Sequence, residues 1–136
     1  MKLKGSIIFI AGIVAIVVYL IFSSIAFLKY PGAYGPLTIW LSDLGNPQAS
    51  PSGAIYYNLG CILTSLVLII FFTGLGKWNN GDKKMKTLLT IAQIMGIFSA
   101  MSLILAALFP LGTHTTTHSF WSAMLSVAIG FFRIIS

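Results

Sequence analysis

The sequence has little charge for its length, and it contains no glutamate. Charged residues make up 7% of its 136 positions, and only two of them, Asp43 and Asp82, are acidic. A soluble domain carries about 25% charged residues. With 57% hydrophobic residues, this chain cannot present a surface that suits water. These figures exclude an ordinary soluble domain and predict a protein embedded in a lipid bilayer.

Cysteine is also scarce, because Cys61 is the only one and it lies inside an apolar run. One cysteine cannot form a disulfide within the chain, so the redox compartment cannot be inferred. The sequence also has no nucleotide-binding loop, no cysteine pair and no paired intramembrane carboxylates. A pump or an electron carrier therefore has little support, and we expect Cys61 to be a small buried side chain.

What the sequence does contain is four apolar segments with lengths that suit a bilayer. About 20 helical residues cross a hydrocarbon core of about 30 Å, and a helix satisfies its own backbone groups in lipid. We therefore predict an all-α membrane protein with four transmembrane helices in a single domain over residues 1–136. The predicted spans are residues 5–28, 53–76, 86–109 and 117–135.

The lysines predict the orientation of these spans in a cell membrane. Lys2 and Lys4 precede the first span, and residues 77–86, between the second and third spans, contain four lysines. Because cytoplasmic loops are enriched in Lys and Arg, we expect this loop and both termini to be cytoplasmic, with Arg133 near the C-terminus. The net charge of +6 is then matched by anionic lipid headgroups and not by nucleic acid.

The first outer loop contains a segment with helical periodicity. Leu37, Trp40, Leu41 and Leu44 are spaced as i, i+3, i+4 and i+7, which places them on one face of a helix. An amphipathic segment with a tryptophan next to a membrane span is typical of a helix that lies in the interface. We predict a short interfacial or re-entrant helix at about residues 37–45.

Polar residues concentrate in the outer halves of the predicted spans. At 1.5 Å per helical residue, Asn58 lies roughly 10 Å and Ser102 roughly 12 Å from the outer ends of their helices. His118 and Ser122 occupy the first turns of the fourth span. These depths overlap, which predicts a small water-filled pocket that opens outward. The candidate ligand-binding residues are Ser42, Asp43, Asn58, Ser102 and His118.

The alternative interpretation is that these polar residues hold helices together. Ser, Thr and Asn side chains in membrane helices bond across helices or to their own backbone. Gly60 with Thr64, and Gly96 with Ala100, have the spacing of small residues that let two helices approach closely. On this interpretation the chain is a scaffold or accessory subunit, which forms a homo-oligomer or packs against other membrane subunits.

The two histidines of the chain, His114 and His118, form the most specific pair. Their i, i+4 spacing suits a divalent metal such as zinc if the helix already includes residue 114, and Asp43 is a candidate third ligand or ring-orienting partner. A metal-free polar site and a purely structural role stay open. Asp43 and His118 are the candidate catalytic residues, although Asp43 also suits a cap on the turn that ends the predicted interfacial helix.

Several short motifs of the chain resemble a known family. They are LSDLGNP at 41–47, YNLG at 57–60, and ALFP at 107–110, which is followed by His118. The chain is similar to the prokaryotic membrane proteins catalogued as family nine-nine-eight of the domains of unknown function. That resemblance implies no settled activity, and it implies a fragment or reduced member because family members are usually longer. The positions that match the family motifs are Ser42, Asp43, Gly45, Asn58, Gly60 and His118.

The sequence thus leads to two expectations about function. The first is a scaffold or accessory subunit of a membrane assembly, with no cofactor. The alternative is an outer-leaflet protein that binds a lipid headgroup, or a metal-dependent membrane hydrolase, using His118, Asp43 and Asn58. For the hydrolase, the H-x-x-x-H spacing resembles that of zinc-binding membrane hydrolases of the alkaline-ceramidase and progestin-receptor type, which would imply zinc.

Overall fold

The computed structural model describes residues 2–31 and 40–135, and these parts consist of helices connected by turns, without a β-strand. The four long helices are α1 Lys2–Leu28, α2 Ala54–Gly74, α3 Lys83–Leu108 and α4 Thr115–Ile135. There are also two short 3-10 helices, Leu41–Gly45, which we call the bridging helix, and Leu75–Trp78, which continues from α2. The all-helical fold is therefore confirmed.

Within the described residues, three helices are long and apolar enough to cross a membrane, namely Ser6–Leu28, Ala54–Trp78 and Lys83–Leu108. Only 11% of the apolar window in the first of these is buried inside the protein, so most of its side chains are left to face lipid. Three of the four predicted spans are therefore confirmed as membrane-compatible helices. α4 forms a helix of 21 residues where the fourth span was expected, and its crossing of the membrane stays a prediction.

Local sequence signals explain where α3 begins and ends. The Asp82 carboxylate accepts hydrogen bonds from the backbone N–H groups of Lys84, at 3.1 Å, and Met85, at 3.4 Å. This cap starts the helix at Lys83, earlier than the predicted residue 86. Pro110 cannot donate a backbone hydrogen bond, and α3 ends just before it. The end of α3 therefore follows from a missing donor.

A short 3-10 helix occupies the second half of the segment 37–45 for which an interfacial helix was predicted. The bridging helix begins at Leu41, while residues 37–39 lie outside the described part of the chain. Trp40 is 81% exposed and Leu44 is 3% exposed, so one side of this segment packs inward. The bridging helix contacts α1 and α2. Its position in a membrane interface stays a prediction.

Glycines set the close packing of α1, α2 and α3. A Cβ atom at Gly60 would collide with the Phe22 side chain, and one at Gly96 would collide with the Phe72 ring. Large aromatic side chains therefore fill the spaces that glycines leave on the neighbouring helix, as the small-residue spacing predicted. α4 then packs against α3.

The two ends of this helix array differ in composition. The cavity end is where α2 and α4 begin and where the bridging helix lies. The lysine end is where α2 ends and α3 begins. Its four lysines are all exposed, and they are Lys77, Lys83, Lys84 and Lys86.

Candidate functional site

A cavity of about 90 Å³ lies between α2, α3 and α4, next to the bridging helix. Its volume is enough for about three water molecules at about 30 Å³ each. Alanine and leucine side chains of α3 and α4 form part of the wall. Three of the predicted ligand-binding residues line this one cavity, namely Ser42, Asn58 and His118. The other polar or sulfur-containing side chains in the wall are those of Tyr57, Cys61 and Ser122.

The His118 ring is held by the end of α3. Its Nδ1 atom lies 2.9 Å from the carbonyl oxygen of Ala106 and 3.1 Å from that of Phe109. In an uninterrupted helix the Ala106 carbonyl would accept a bond from the N–H of residue 110, but Pro110 has none. Because a carbonyl oxygen can only accept, Nδ1 carries the proton and supplies the missing donor.

The second ring nitrogen of His118, Nε2, is buried and has no hydrogen-bond partner in the described part of the chain. With the proton on Nδ1, the Nε2 atom of the neutral ring presents a lone pair. A buried acceptor without a partner costs about 1–3 kcal/mol, so such an atom in a native protein calls for an explanation. Since His118 lines the cavity, a donor placed in the cavity is the natural partner.

Ser102 lies in the same polar layer but does not line the cavity. Its side chain is fully buried, at 0% exposure, and its Oγ atom has no hydrogen-bond partner among the described residues. Leu103, the next residue along α3, reaches the cavity wall instead. The depth argument therefore placed Ser102 correctly along the helix axis, but a depth gives no information about which face of the helix a residue occupies.

Asp43 stabilises the start of the bridging helix. Its Oδ2 atom accepts a hydrogen bond from the Trp40 backbone N–H at 3.0 Å, and its own backbone N–H donates to the Trp40 carbonyl at 2.9 Å. Asp43 is not part of the cavity wall. The Asp43 side chain therefore caps the start of the bridging helix and not the turn that ends it, and a catalytic role for this residue stays a prediction.

His114 lies apart from the cavity. Its ring is exposed and packs edge-on against Phe109, with ring centroids 5.5 Å apart. The backbone N–H of His118 donates to the His114 carbonyl at 2.9 Å, so the two histidines do have helical spacing. The described residues contain no group of three or more His, Cys, Asp or Glu side chains placed to hold a metal. A zinc site at His114 and His118 stays a prediction.

The motif residues Gly45 and Asn58 join the bridging helix to α2. The Nδ2 atom of Asn58 donates to the Gly45 carbonyl at 3.0 Å. A Cβ atom at residue 45 would lie 2.5 Å from Asn58 Oδ1 and 2.8 Å from Tyr57 Cδ1. Only glycine permits this approach of backbone to side chain. The contact places Ser42, on the same short helix, at the cavity wall.

A second link ties the segment after the bridging helix to the turn between α3 and α4. Gln48 Nε2 donates to the Gly112 carbonyl at 2.9 Å, and the Gln48 backbone N–H donates to Asn46 Oδ1 at 2.9 Å. Gly112 has a φ of +93°, and a Cβ atom there would collide with Asn46. Sequence reasoning missed this link, because nothing in the sequence indicates which residue the Gly112 carbonyl pairs with.

Tyr57 and Cys61 are cavity residues that the sequence analysis did not include in the site. They are four residues apart and therefore share one face of α2, which was the available signal. The Tyr57 hydroxyl lies 3.4 Å from the Tyr19 hydroxyl, which connects the cavity wall to α1. The side chain of Cys61 is 2% exposed, as its predicted burial requires.

Fold and site together define a helical membrane-embedded protein with a partly polar, uncharged cavity near one end of its helices. The chain matches the family model described as "Protein of unknown function (DUF998)" over residues 13–134. It belongs to this family, which confirms the resemblance of its motifs. No curated protein and no solved structure matches the chain. The function is therefore argued from the cavity itself.

Proposed function

We propose that the protein is a membrane-embedded binding protein, which holds a small polar group of a bilayer-borne ligand in the cavity. The observation that carries this proposal is the Nε2 atom of His118, a buried acceptor without a partner in the cavity wall. A ligand that donates a hydrogen bond to Nε2 removes the cost of that unpaired acceptor. Ser42 and Asn58 contact the same ligand, while Asp43 acts indirectly by holding the bridging helix in place.

The position of the cavity supports a ligand that arrives from the membrane. Asn58 lies four residues into α2, which is about 6 Å along the helix axis. His118 is in the first turn of α4. The cavity thus begins near one end of the helices, and leucine side chains of α3 and α4 line it as well. A polar group attached to an apolar chain suits this environment.

Cys61 offers a direct test, because it is the only cysteine of the chain and it lines the cavity. Methyl methanethiosulfonate is a small reagent that modifies thiols, and intact-protein mass spectrometry follows the reaction. A total polar lipid extract, added to the detergent-solubilised protein, should slow the modification of Cys61 several-fold. Equal rates with and without the extract would contradict the proposal.

The matched variants are His118→Asn and His114→Asn. An asparagine amide nitrogen stands as many bonds from Cα as Nδ1 does, so His118→Asn preserves a donor for the α3 carbonyls, while its Oδ1 acceptor ends one bond short of the position of Nε2. We expect His118→Asn to lose the protection of Cys61. His114→Asn makes the same substitution at an exposed ring outside the cavity and should retain the protection.

A second candidate function, a subunit of a membrane assembly, is favoured by one face of α4. Four small residues at helical spacing are exposed on it, namely Ser119, Ala123, Ser126 and Gly130. Such residues let another helix approach closely, and we propose a second copy of this chain as the partner. Ala123→Leu should then reduce the mass of the protein in detergent as measured by light scattering. Ile129→Leu, at an exposed α4 position about 120° around the helix from Ala123, is the control.

For the orientation, we propose that the lysine end and both termini are cytoplasmic. The lysine end carries four exposed lysines and one acid, Asp82, whereas the described part of the cavity end carries Lys29 and Asp43. A Lys84→Cys variant in a Cys61→Ser background should react with a membrane-impermeant maleimide only after the cells are permeabilised. Labelling in intact cells would contradict this orientation.

A further inference from the structure

We infer that the ligand is an uncharged lipid alcohol, whose hydroxyl group donates a hydrogen bond to Nε2 of His118 while its apolar chain points towards the membrane centre. This inference rests on the proposed binding function and adds the chemical class of the ligand. It follows from three properties of the cavity: the fixed role of the histidine, the absence of charge in the wall, and the order of polar and apolar residues along the helices.

The histidine selects a donor. Both Ala106 and Phe109 present carbonyl oxygens to Nδ1, so the single proton of the neutral ring stays on that nitrogen and Nε2 accepts. An ester carbonyl, an ether oxygen or a carboxylate would place a second acceptor against Nε2. Each would leave the buried nitrogen unpaired and add a repulsive contact. The ligand atom that meets His118 must therefore carry a hydrogen.

The wall selects an uncharged group. The cavity lining contains no Lys, Arg, Asp or Glu side chain, and the nearby Asp43 carboxylate is bonded to the backbone of Trp40. Burying a phosphate or an ammonium group without a partner of opposite charge is strongly unfavourable. A hydroxyl group avoids that cost. It also accepts a hydrogen bond, for which Ser42 and Ser122 are available donors in the wall.

The order of residues along the helices sets the direction of the ligand. On α4 the wall changes from His118 through Ser122 to Leu125, over about 10 Å. On α2 the wall changes from Asn58 to Cys61. On α3, Leu103 lies about one turn deeper than the two alanines of the wall. Polar atoms thus lie at the cavity end and apolar atoms lie deeper. A volume of about 90 Å³ admits the hydroxyl-bearing end of a lipid.

Matched single-chain probes test this inference with the Cys61 protection assay on the full-length protein. The probes are 1-hexadecanol, its methyl ether 1-methoxyhexadecane, and hexadecanoate at neutral pH. We expect the alcohol to protect Cys61 with about ten-fold higher apparent affinity than the ether, because one hydrogen bond to a buried acceptor distinguishes them. The difference should disappear in His118→Asn and persist in His114→Asn. A further arm with 1,2-dioctanoylglycerol distinguishes a simple alcohol from a glyceride as the source of the hydroxyl, and protection by either probe supports the inference.

The outcomes separate the ligand class from the proposed function. If the polar lipid extract protects Cys61 but the alcohol and the ether protect equally, or hexadecanoate protects best, the ligand class is overturned and the binding function stands. If neither the extract nor any probe protects, the binding function fails as well. The comparison of alcohol and ether uses the wild-type protein alone, so it is decisive even if His118→Asn does not fold.

Discussion

At the cavity end several polar side chains bond to distant parts of the protein, whereas at the lysine end the lysine side chains are exposed. The first group includes the His118 ring on two α3 carbonyls, the Asn58 amide on Gly45, and Gln48 on Gly112. At the lysine end, four lysines are exposed and Asp82 caps α3 through backbone N–H groups alone. Both ends lie on the same helices, so the difference comes from the connecting segments.

The two ends differ in the contacts and hydrogen bonds that hold their connecting segments to neighbouring elements. The segment from Trp40 to Ser50 touches α1 and α2 and is bonded to the α3–α4 turn, and its Leu44 and Ser50 side chains are buried. The turn at residues 79–82 bonds mainly to itself, through Asn79 and Asn80 side chains that accept from N–H groups two residues on. A protein that must shape a cavity at one end fixes that end, and substitutions there should have larger effects.

Two glycines give the largest expected contrast between the ends. Gly45→Ala should lower the free energy of unfolding by about 1–3 kcal/mol, as overpacking does, because its Cβ would collide with Asn58 and Tyr57. Gly76→Ala at the lysine end should change it by less than about 0.5 kcal/mol, because its Cβ would meet only the end of the Gln93 side chain, at 3.3 Å, which can shift while it retains its hydrogen bond to the Thr73 carbonyl. Thermal unfolding in detergent measures both.

A similar loss for both glycine variants would mean that the lysine end is packed as tightly as the cavity end. The proposed difference in packing between the two ends would then be wrong. Binding gives a second measure, since Gly45→Ala should also weaken the protection of Cys61 by lipid, while Gly76→Ala should leave it unchanged.

The sequence allowed the helices at both ends to be predicted. It did not predict how strongly each end is held by neighbouring elements. Apolar length and the Lys83–Lys86 charges located the helices, because these signals are local along the chain. Capping by Asp82 is a signal of the same local kind, since the acceptor and its donors are neighbours in sequence. The contact of Gln48 with Gly112 spans 64 positions, and no periodicity or composition signals a pair so far apart.

The candidate site was predictable to the same extent. Depth along the helices brought Asn58 and His118 together, because both helices start at the same end. Depth alone could not show whether Ser102 or Leu103 lines the cavity, since that depends on the rotation of α3 about its own axis. Pro110 leaves the carbonyl four residues earlier without a backbone donor, so the need for another donor there could be inferred from the sequence. The identity of the new donor required the fold.

The two aspartates sharpen the comparison, because each caps a helix at one end. Asp82→Ala and Asp43→Ala should each lower the free energy of unfolding by about 1 kcal/mol, the usual effect of losing a cap. Only Asp43→Ala should also weaken the protection of Cys61 by lipid, because it loosens the helix that carries Ser42. Unfolding in detergent and the thiol assay measure the two effects. Equal effects of both variants on binding would show that the assay reports stability alone.

The lysines should give a smaller effect that is specific to lipid charge. Lys77 lines a groove of about 330 Å³ between α1 and α2, and one lysine near a membrane surface gives about a five-fold preference for anionic lipid. Brominated phosphatidylglycerol should therefore quench Trp78 fluorescence more than brominated phosphatidylcholine does, in a background with Trp40→Phe and Trp121→Phe. Lys77→Gln should reduce that preference.

Lys29→Gln is the matched control for the lysine prediction. The Lys29 ammonium group lies at the other end of α1, 5.2 Å from the centroid of the Tyr56 ring, so its loss should leave the quenching of Trp78 unchanged. Preference for the anionic lipid should also fall as the salt concentration rises. A preference that survives Lys77→Gln unchanged would argue against Lys77 as the residue that holds the headgroup.

The smallest expected effect concerns two fully buried serines, Ser65 and Ser102, which differ only in bonding. Ser65 Oγ donates to the Cys61 carbonyl at 2.7 Å, whereas Ser102 Oγ has no partner among the described residues. Ser65→Ala should therefore lower the free energy of unfolding by about 0.5–1.5 kcal/mol, and Ser102→Ala should leave it unchanged or raise it slightly. If Ser102→Ala is instead the more destabilising variant, its hydroxyl is paired with water that reaches it from the cavity. The polar cavity would then extend deeper along α3 than Leu103, and the direction assigned to the apolar chain of the ligand would have to be revised.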